Sequence, residues 1–386
     1  MPASATSPST QPPVRAVIRL DHLRHNVNVL RSRAGSADLM AVVKSDAYGH
    51  GAARIGEELQ QMGIRHFAVA RIGEAIDLRR AGIDGTILVL GAPLPDRLPA
   101  YAEHAIDVTV PSDAVADAVQ ATASPDRPLR AHLNVDTGMG RIGLPPSDVE
   151  EALRRLQDTP GVTVAGLWTH FATADDPKST AAQAQLERLT AALDPIDLPD
   201  DVPIHAANSS ALVTLAASHR RFTPTLVRAG ILLYGLADTR AIAEEAGVRP
   251  VMQLDAQVTQ VKTVPAGTSI SYGHSWTADA PTRLATVGAG YGDGYPRLAS
   301  NRAQAMLRGT TRPLVGTICM DMCFIDCGPP EAPLARAVQP GNRAVLFGPD
   351  GPSTFDVADW AETIPYEICC GIASRVPRRY ATSFTE

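Results

Sequence analysis

The sequence predicts an α/β protein: a (β/α)8 TIM-type barrel followed by a mostly β C-terminal domain. Three observations predict it. Eight short apolar runs recur between residues 39 and 228, with segments of helical spacing between them. Strands alternating with helices imply parallel βαβ units, and eight units in about 200 residues match a barrel. Near residue 245 the texture changes to short alternating segments split by Gly and Pro turns. Aromatic residues are scarce, at 5%, and alanine is abundant, which favours closely packed helices over a β-sandwich.

The elements follow in order. Residues 1–13, MPASATSPSTQPP, are rich in Pro, Ser and Thr and read as a disordered tail outside the fold. They carry no charge and no apolar core, so they do not read as a signal peptide. VRAVIRL is a strand at the start of the barrel domain, assigned to residues 14–247. LDHLRHNVNVLRSRA has helical spacing, with Leu23, Val27 and Leu30 on one face and Asp21 as the expected N-cap. The eight barrel strands are expected at 39–43, 67–70, 86–90, 107–110, 130–135, 162–168, 202–206 and 225–228. Helical segments such as ARIGEELQQM and IGEAIDLRRAG lie between them. A doubly wound open sheet would show the same alternation; the count of eight decides for the barrel. Residues 248–386 form the β domain, with runs such as VMQLDAQVTQVKTV, RLATVGAG and RAVLFG and no long helical pattern before DVADWAETI.

Composition narrows the functional class. The 386 residues suggest two or three domains. The 35 basic and 41 acidic residues leave a net charge of -6, which excludes a basic nucleic-acid footprint and a polybasic membrane patch. No apolar stretch approaches the ~18–20 residues of a membrane span. The five cysteines, Cys319, Cys323, Cys327, Cys369 and Cys370, are an odd count without a secretion signal, which points to reduced thiols and the cytoplasm. The spacing of 319, 323 and 327 invites a metal site. Every fourth residue of a strand merely faces the same side, and no second pair has zinc-type spacing, so no metal is expected.

A barrel of this type carries its active site at the C-terminal ends of its strands. Lys44 follows the first strand, in AVVKSDAYGHG; Asp136 and Arg141 follow the fifth, in NVDTGMGRIG; His170 follows the sixth. His205, Asn208, Ser209 and Ser210 come with the seventh, and Arg228, Gly230 and Ile231 with the eighth. A lysine leaving an apolar strand is partly desolvated, which frees the neutral amine for Schiff-base chemistry; its bland alternative is a surface lysine. Ser209 and Gly230-Ile231 fit a phosphate cradle, although Asn-Ser-Ser alone is more often a helix cap. With Lys44 they suggest a phosphorylated carbonyl ligand, either pyridoxal 5'-phosphate (PLP) or a sugar-phosphate aldolase substrate. Arg228 beside a pyridine nitrogen would keep that nitrogen unprotonated, since arginine holds its proton to above ~12. Such tuning favours simple proton transfer over transamination or decarboxylation. The competing role for Arg228 is a rim salt bridge. Tyr272, Tyr291 and Tyr295 sit in Gly-rich turns of the β domain, Cys319, Met320 and Asp321 lie in TICMDMC, and Tyr366 in YEICCG.

These motifs together resemble the alanine racemase family, PLP enzymes with a TIM-type barrel and a β domain. AVVKSDAYGHG is the specific signature, and NVDTGMGRIG, THFATAD, ANSS, SYG, GYGDGYPR, CMD and SRVPR follow in the family's order from about Val14 to the C-terminus. The resemblance implies that Lys44 carries PLP and is the base on one face of the substrate Cα. It implies that Tyr272, from the partner subunit of a homodimer, is the base on the other face. His170 would bond that tyrosine, with Arg228 beyond it at the pyridine nitrogen. Tyr48, Asn208, Ser209, Gly230, Ile231 and Tyr366 would bind the cofactor, most of them at its phosphate. Arg141 would contact the PLP phenolic oxygen and the substrate carboxylate, the backbone N–H of the partner's Met320 would meet that carboxylate, and Tyr291 with Tyr366 would narrow the mouth in favour of alanine. The implied activity is cytoplasmic interconversion of L- and D-alanine, supplying D-alanine for peptidoglycan. A relative specific for serine, a decarboxylase of the same plan and a non-enzymatic PLP carrier are the alternatives.

Two positions depart from the family pattern. Asn134 stands where many members have a lysine, often carbamylated, that orients the arginine equivalent to Arg141. A bound anion such as chloride, or Asn134 itself, is expected to take over. Ala229 stands where proline is frequent, with the following glycine kept.

Overall fold

The computed structural model describes residues 12–176 and 178–382. The chain divides into two compact units, one spanning Asp21–Arg249 and the other built from the chain on either side of it. Residues 1–11 of the expected tail lie outside the described residues. Pro13, also given to that tail, belongs to the fold: its carbonyl accepts from the Gln257 N–H at 2.9 Å.

The strands are β1 (Val14–Arg19), β2 (Asp38–Val42), β3 (His66–Val69), β4 (Thr86–Val89), β5 (Asp107–Val110), β6 (Leu129–Asn134), β7 (Val162–Trp168), β8 (Ile204–His205) and β9 (Leu226–Ala229). Strands β2 to β9 are the eight expected from the apolar runs. All their pairings are parallel, in the order β8-β7-β6-β5-β4-β3-β2-β9. The two ends meet: Ile204 bridges Thr225, and the Arg228 N–H bonds the Ala207 carbonyl at 3.0 Å. The result is a near-closed barrel. Its strands are mostly buried rather than alternating in exposure, because helices cover the outside and side chains fill the inside; β5 is buried at every position. The helix Leu20–Ala34 buries Leu23, Val27 and Leu30 completely, as their spacing predicts. Asp21 lies in its first turn rather than at its cap, since the helix begins one residue earlier.

The second unit contains β10 (Met252–Val264), β11 (Ser269–Ile270), β12 (Trp276–Thr277), β13 (Thr282–Val287), β14 (Gln304–Leu307), β15 (Thr310–Pro313), β16 (Cys323–Asp326), β17 (Arg343–Phe347) and β18 (Arg378–Ala381). The long strand β10 is its spine. Its first half pairs with β1 and β17, and its second half with β13 beyond a register shift at Val258/Gln260.

Here one expectation is corrected. The strand at Val14–Arg19 was placed in the barrel domain, but it pairs antiparallel with β10 and parallel with β18 in the β unit. The barrel already has eight strands. β10 instead offers an open edge, and the buried Asp255 at its centre takes an ion pair from Arg15 at 2.9 Å.

Candidate active site

The site grows from the loop after β2. Lys44 opens a five-residue turn, and Ser45, Asp46, Ala47 and Tyr48 all have φ near +54° or +53°. Four successive non-glycine residues in the left-handed region cost about 1–2 kcal/mol each and need outside support. The Ser45 N–H donates to Glu74 at 2.6 Å, the Ala52 N–H donates to Asp46 at 2.7 Å, and His50 Nδ1 bonds the Ala47 and Tyr48 carbonyls at 2.9 Å. The turn holds Lys44 Nζ 5.9 Å from the centre of the buried Tyr48 ring. Tyr48 in turn packs on Tyr234 at 5.0 Å.

Opposite lies a cradle from the loops after β8 and β9. Asn208 caps the helix Ser209–Thr214 by accepting from the Ala211 N–H at 2.9 Å. The buried Ser209 hydroxyl accepts the Gly230 N–H at 2.9 Å and lies 3.5 Å from the Leu232 nitrogen. A Cβ at residue 230 would stand 2.9 Å from the Tyr48 hydroxyl. Glycine here is therefore a matter of space, and it lets Tyr48, Ser209, Gly230 and Ile231 converge. Ala229, the departure from the family pattern, is completely buried within β9.

Arg228, at the end of β9, is 3% exposed. Its terminal nitrogens donate to the carbonyls of His205, of Thr169 (2.6 Å) and of Ala206 (3.3 Å), and to His170 Nδ1 at 3.3 Å and His205 Nδ1 at 3.4 Å. It lies over the Trp168 ring at 5.0 Å. No carboxylate is among its described partners, so the rim salt bridge is not formed. The Nε–H is the donor these contacts leave over. Burial, and then repulsion from Arg141, push the Arg228 pKa down to about 9. His170 is pushed down to about 3 by burial and by Arg228, Arg141 and Lys44, so it is neutral. Since Arg228 can only donate, His170 Nδ1 must accept, and the His170 proton sits on Nε2. The four groups Lys44, Arg141, His170 and Arg228 thus share one electropositive rim.

Asp136 serves the loop that carries Arg141. Its carboxylate takes the N–H groups of Gly138, Met139 and Gly140; burial would raise its pKa, but these bonds and Arg188 outweigh that and lower it. Asn134 is buried, with Nδ2 donating to the Trp168 carbonyl at 3.2 Å and Oδ1 without a partner among the described residues.

The remaining expected residues belong to the β unit. Thr317 Oγ1 donates to the Tyr272 carbonyl at 2.8 Å, Tyr291 N–H to the Cys319 carbonyl at 3.0 Å, and Gly292 N–H to the Met320 carbonyl at 2.8 Å. One loop therefore strings Tyr272, Tyr291 and Met320 together. Arg375 braces it by ion pairs to Asp293 at 2.8 Å and Asp321 at 2.7 Å. Tyr366 is half-buried in the helix Pro365–Cys370, whereas Tyr295 is completely buried and belongs to the core. Among the described residues no group of His, Cys, Asp and Glu is placed to hold a metal, and Cys323 and Cys327 are buried thiols.

Sequence reasoning missed His132, Asp107 and Gly166, which lie behind Arg228 inside the barrel. The signal available was His132 flanked by apolar residues inside the strand run RAHLNV.

The comparisons follow this geometry. Residues 18–238 match the alanine racemase N-terminal domain and residues 251–380 the alanine racemase C-terminal domain. The chain belongs to the alanine racemase family. It is an isomerase of that family, with a barrel and a mostly β domain. It is 39% identical over 382 residues to an alanine racemase of Chlorobaculum tepidum, covering 97% of both chains. An alanine racemase of Thermobifida fusca is 39% identical over 95% of this chain and 97% of its own. Among solved structures, the alanine racemase of Streptomyces lavendulae superposes with a TM-score of 0.86 at 38% identity, covering 97% of this chain and 99% of its own. That of Streptomyces coelicolor gives 0.86 at 38% identity over 96% and 98%.

Proposed function

We propose that this chain is a PLP-dependent alanine racemase that interconverts L- and D-alanine with two bases and works as a homodimer. The observation that carries the reading is Arg228. It is a buried cation with no carboxylate among its described partners and with its Nε–H left over, on the same rim as Lys44 and the Ser209–Gly230–Tyr48 cradle. The residues fit pyridoxal phosphate: the cradle suits a phosphate, Lys44 an aldehyde, and Arg228 a pyridine nitrogen.

The bound cofactor would supply one thing, a ring that spreads the electron pair left when the Cα proton is removed. The chain supplies the rest. Tyr48, Ser209, Gly230, Ile231 and Tyr366 hold the phosphate, with Asn208 fixing the helix behind them. Lys44 Nζ holds and returns the proton on one face. The partner subunit's Tyr272 does so on the other. Neutral His170, with its proton on Nε2, donates to that phenol oxygen and favours its deprotonated form, while the positive charge of the chain resides on Arg228. Arg141 and the backbone N–H of the partner's Met320 bind the carboxylate, and Tyr291 and Tyr366 limit side-chain size.

The dimer is supported by exposure. Tyr272 is 72% exposed, Met320 52%, and Tyr291 and Met322 42% each, along the one braced loop. Such an apolar patch suits a second copy of the chain. We place the activity in the cytoplasm, supplying D-alanine for peptidoglycan; no described helix is long and apolar enough to cross a membrane.

The test is chiral chromatography after incubating the PLP-loaded protein with single-enantiomer amino acids, beside Tyr272→Phe. Alanine is expected to equilibrate, and the variant to be slower by about 100-fold or more. Bound cofactor without any equilibration overturns the reading. Equal conversion of serine would leave the cofactor and fold in place and overturn the size filter.

A further inference from the structure

Behind Arg228 the barrel interior holds a second polar assembly, which the proposed chemistry does not use. Arg228 meets His205 Nδ1 at 3.4 Å. His205 Nε2 lies 3.0 Å from His132 Nδ1, and His132 Nε2 lies 3.0 Å from the Asp107 carboxylate. Asp107, His132 and His205 are at most 2% exposed. They sit on three different strands, β5, β6 and β8, and run from the beginning of β5 to the rim.

The proton positions follow from one end. Arginine can only donate, so His205 Nδ1 must accept. His205 therefore carries its proton on Nε2 and donates to His132 Nδ1. His132 then carries its own proton on Nε2 and donates to Asp107. Every donor meets an acceptor, both rings are neutral, and the row points one way from the guanidinium to the carboxylate. Burial and the neighbouring His132, Arg228 and His66 keep His205 from becoming a cation. Arg130 pairs with the far side of Asp107 at 3.2 Å, completing the charged groups around the row.

The barrel makes room for this row. In β7 the pairing with β6 steps from Ala131↔Val164 to His132↔Gly166, leaving Ala165 as an extra residue. A Cβ at Gly166 would stand 2.5 Å from His132 Nδ1 and 3.2 Å from His205 Nε2. Its φ lies outside the left-handed region, so any residue could adopt this backbone. The glycine answers to the imidazole pair alone.

Building on the PLP reading above, we infer that Asp107, His132 and His205 are positioning residues that hold the guanidinium of Arg228 in one orientation, and that Gly166 is the glycine that permits it. The row fixes the His205 tautomer, and so the lone pair that receives Arg228. A reversed or protonated His205 would present N–H to N–H and turn the arginine away from the pyridine nitrogen it is to face.

The direct test is nitrogen NMR of the histidine rings in the full-length protein, free of cofactor and loaded with PLP. The expected result at pH 8 is a proton on Nε2 and none on Nδ1 at both His132 and His205. An Nδ1–H tautomer or a cation at either ring overturns the inference. The second test uses Gly166→Ala and, in case that variant folds poorly, Asp107→Asn. Each should shift the His205 ring signals, move the absorption maximum of bound PLP, and raise side transamination. Each should lower kcat by about 10- to 100-fold with KM within about 3-fold, as expected for a displaced group rather than a lost binding contact. Altered His205 signals with unchanged PLP absorption and kcat would overturn it. A protein that shows the expected tautomers but neither binds PLP nor racemises alanine would refute the functional reading and leave the row itself standing.

Discussion

Arg228 donates to His170 Nδ1 at 3.3 Å, and that contact sets the whole proton pattern of the rim. A guanidinium beside an imidazole would be costly if the imidazole were charged. The pair is kept because His170 stays neutral and presents a single N–H to whatever faces it.

Arg228→Lys therefore loses more than its conservative appearance suggests. A lysine keeps the charge but lacks the planar fork that reaches three carbonyls and two imidazoles at once. We expect kcat to fall by about 100-fold with a smaller change in KM, as for a misplaced group. Steady-state kinetics in both directions checks it; a variant within threefold of wild type would contradict the role.

Stability should fall in mild acid through the same residue. Folding lowers the His170 pKa from 6.5 to about 3, so between those values the unfolded chain binds a proton that the folded chain refuses. The contribution is complete above pH 6.5 and is lost as pH drops, at about 1.4 kcal/mol per pH unit per histidine. His205 acts in the same direction. Urea unfolding at pH 7.5 and 5 should show a shallower loss in His170→Gln than in wild type. An equal or steeper loss counts against the assignment.

Gly230→Ala should weaken cofactor binding by crowding the cradle. The residue has φ -110, and its Cβ would press to 2.9 Å on the Tyr48 hydroxyl. Overpacking costs about 1–3 kcal/mol, or roughly 5- to 150-fold in PLP affinity. An absorbance titration of the cofactor-free protein measures this, and unaltered affinity would show that the cradle is not the phosphate site.

Met320→Glu should dissociate the proposed dimer and abolish activity together. Met320 is 52% exposed on the braced loop, so a charge there disturbs little within one chain. Sedimentation should report a monomer. An active monomer would refute a base supplied across subunits.

Asn134 makes a sharper prediction than the sequence alone could. Its Nδ2 is committed to the Trp168 carbonyl, and its Oδ1 remains as an acceptor. An acceptor suits a guanidinium directly, whereas chloride would need donors. Oδ1 meets no donor among the described residues, Arg141 included, and we propose it as the acceptor toward which Arg141 would turn in place of a carbamylated lysine. Activity should therefore be the same in chloride and in gluconate. A strong dependence on chloride would restore the anion.

The sequence by itself determined the barrel strands and the rim. A βα period is local: each apolar run is bounded by its own turn and followed by its own helix, so all eight runs were readable within a few residues. The rim residues were readable because a parallel strand places whatever follows it at one end of the barrel. Tertiary structure alone decided the rest. Val14–Arg19 reads as a strand opening the barrel domain, yet it joins β10 through pairs such as Val14↔Ala256, a choice made by an open edge far along the chain. His132 and His205 are 73 residues apart, and Gly166 between them looks like any glycine in a strand. The direction their hydrogen bond imposes on Arg228 exists only once the sheet closes, because closure is what brings β9, with Arg228, beside β8, with His205, and removes the water that would otherwise satisfy each ring on its own.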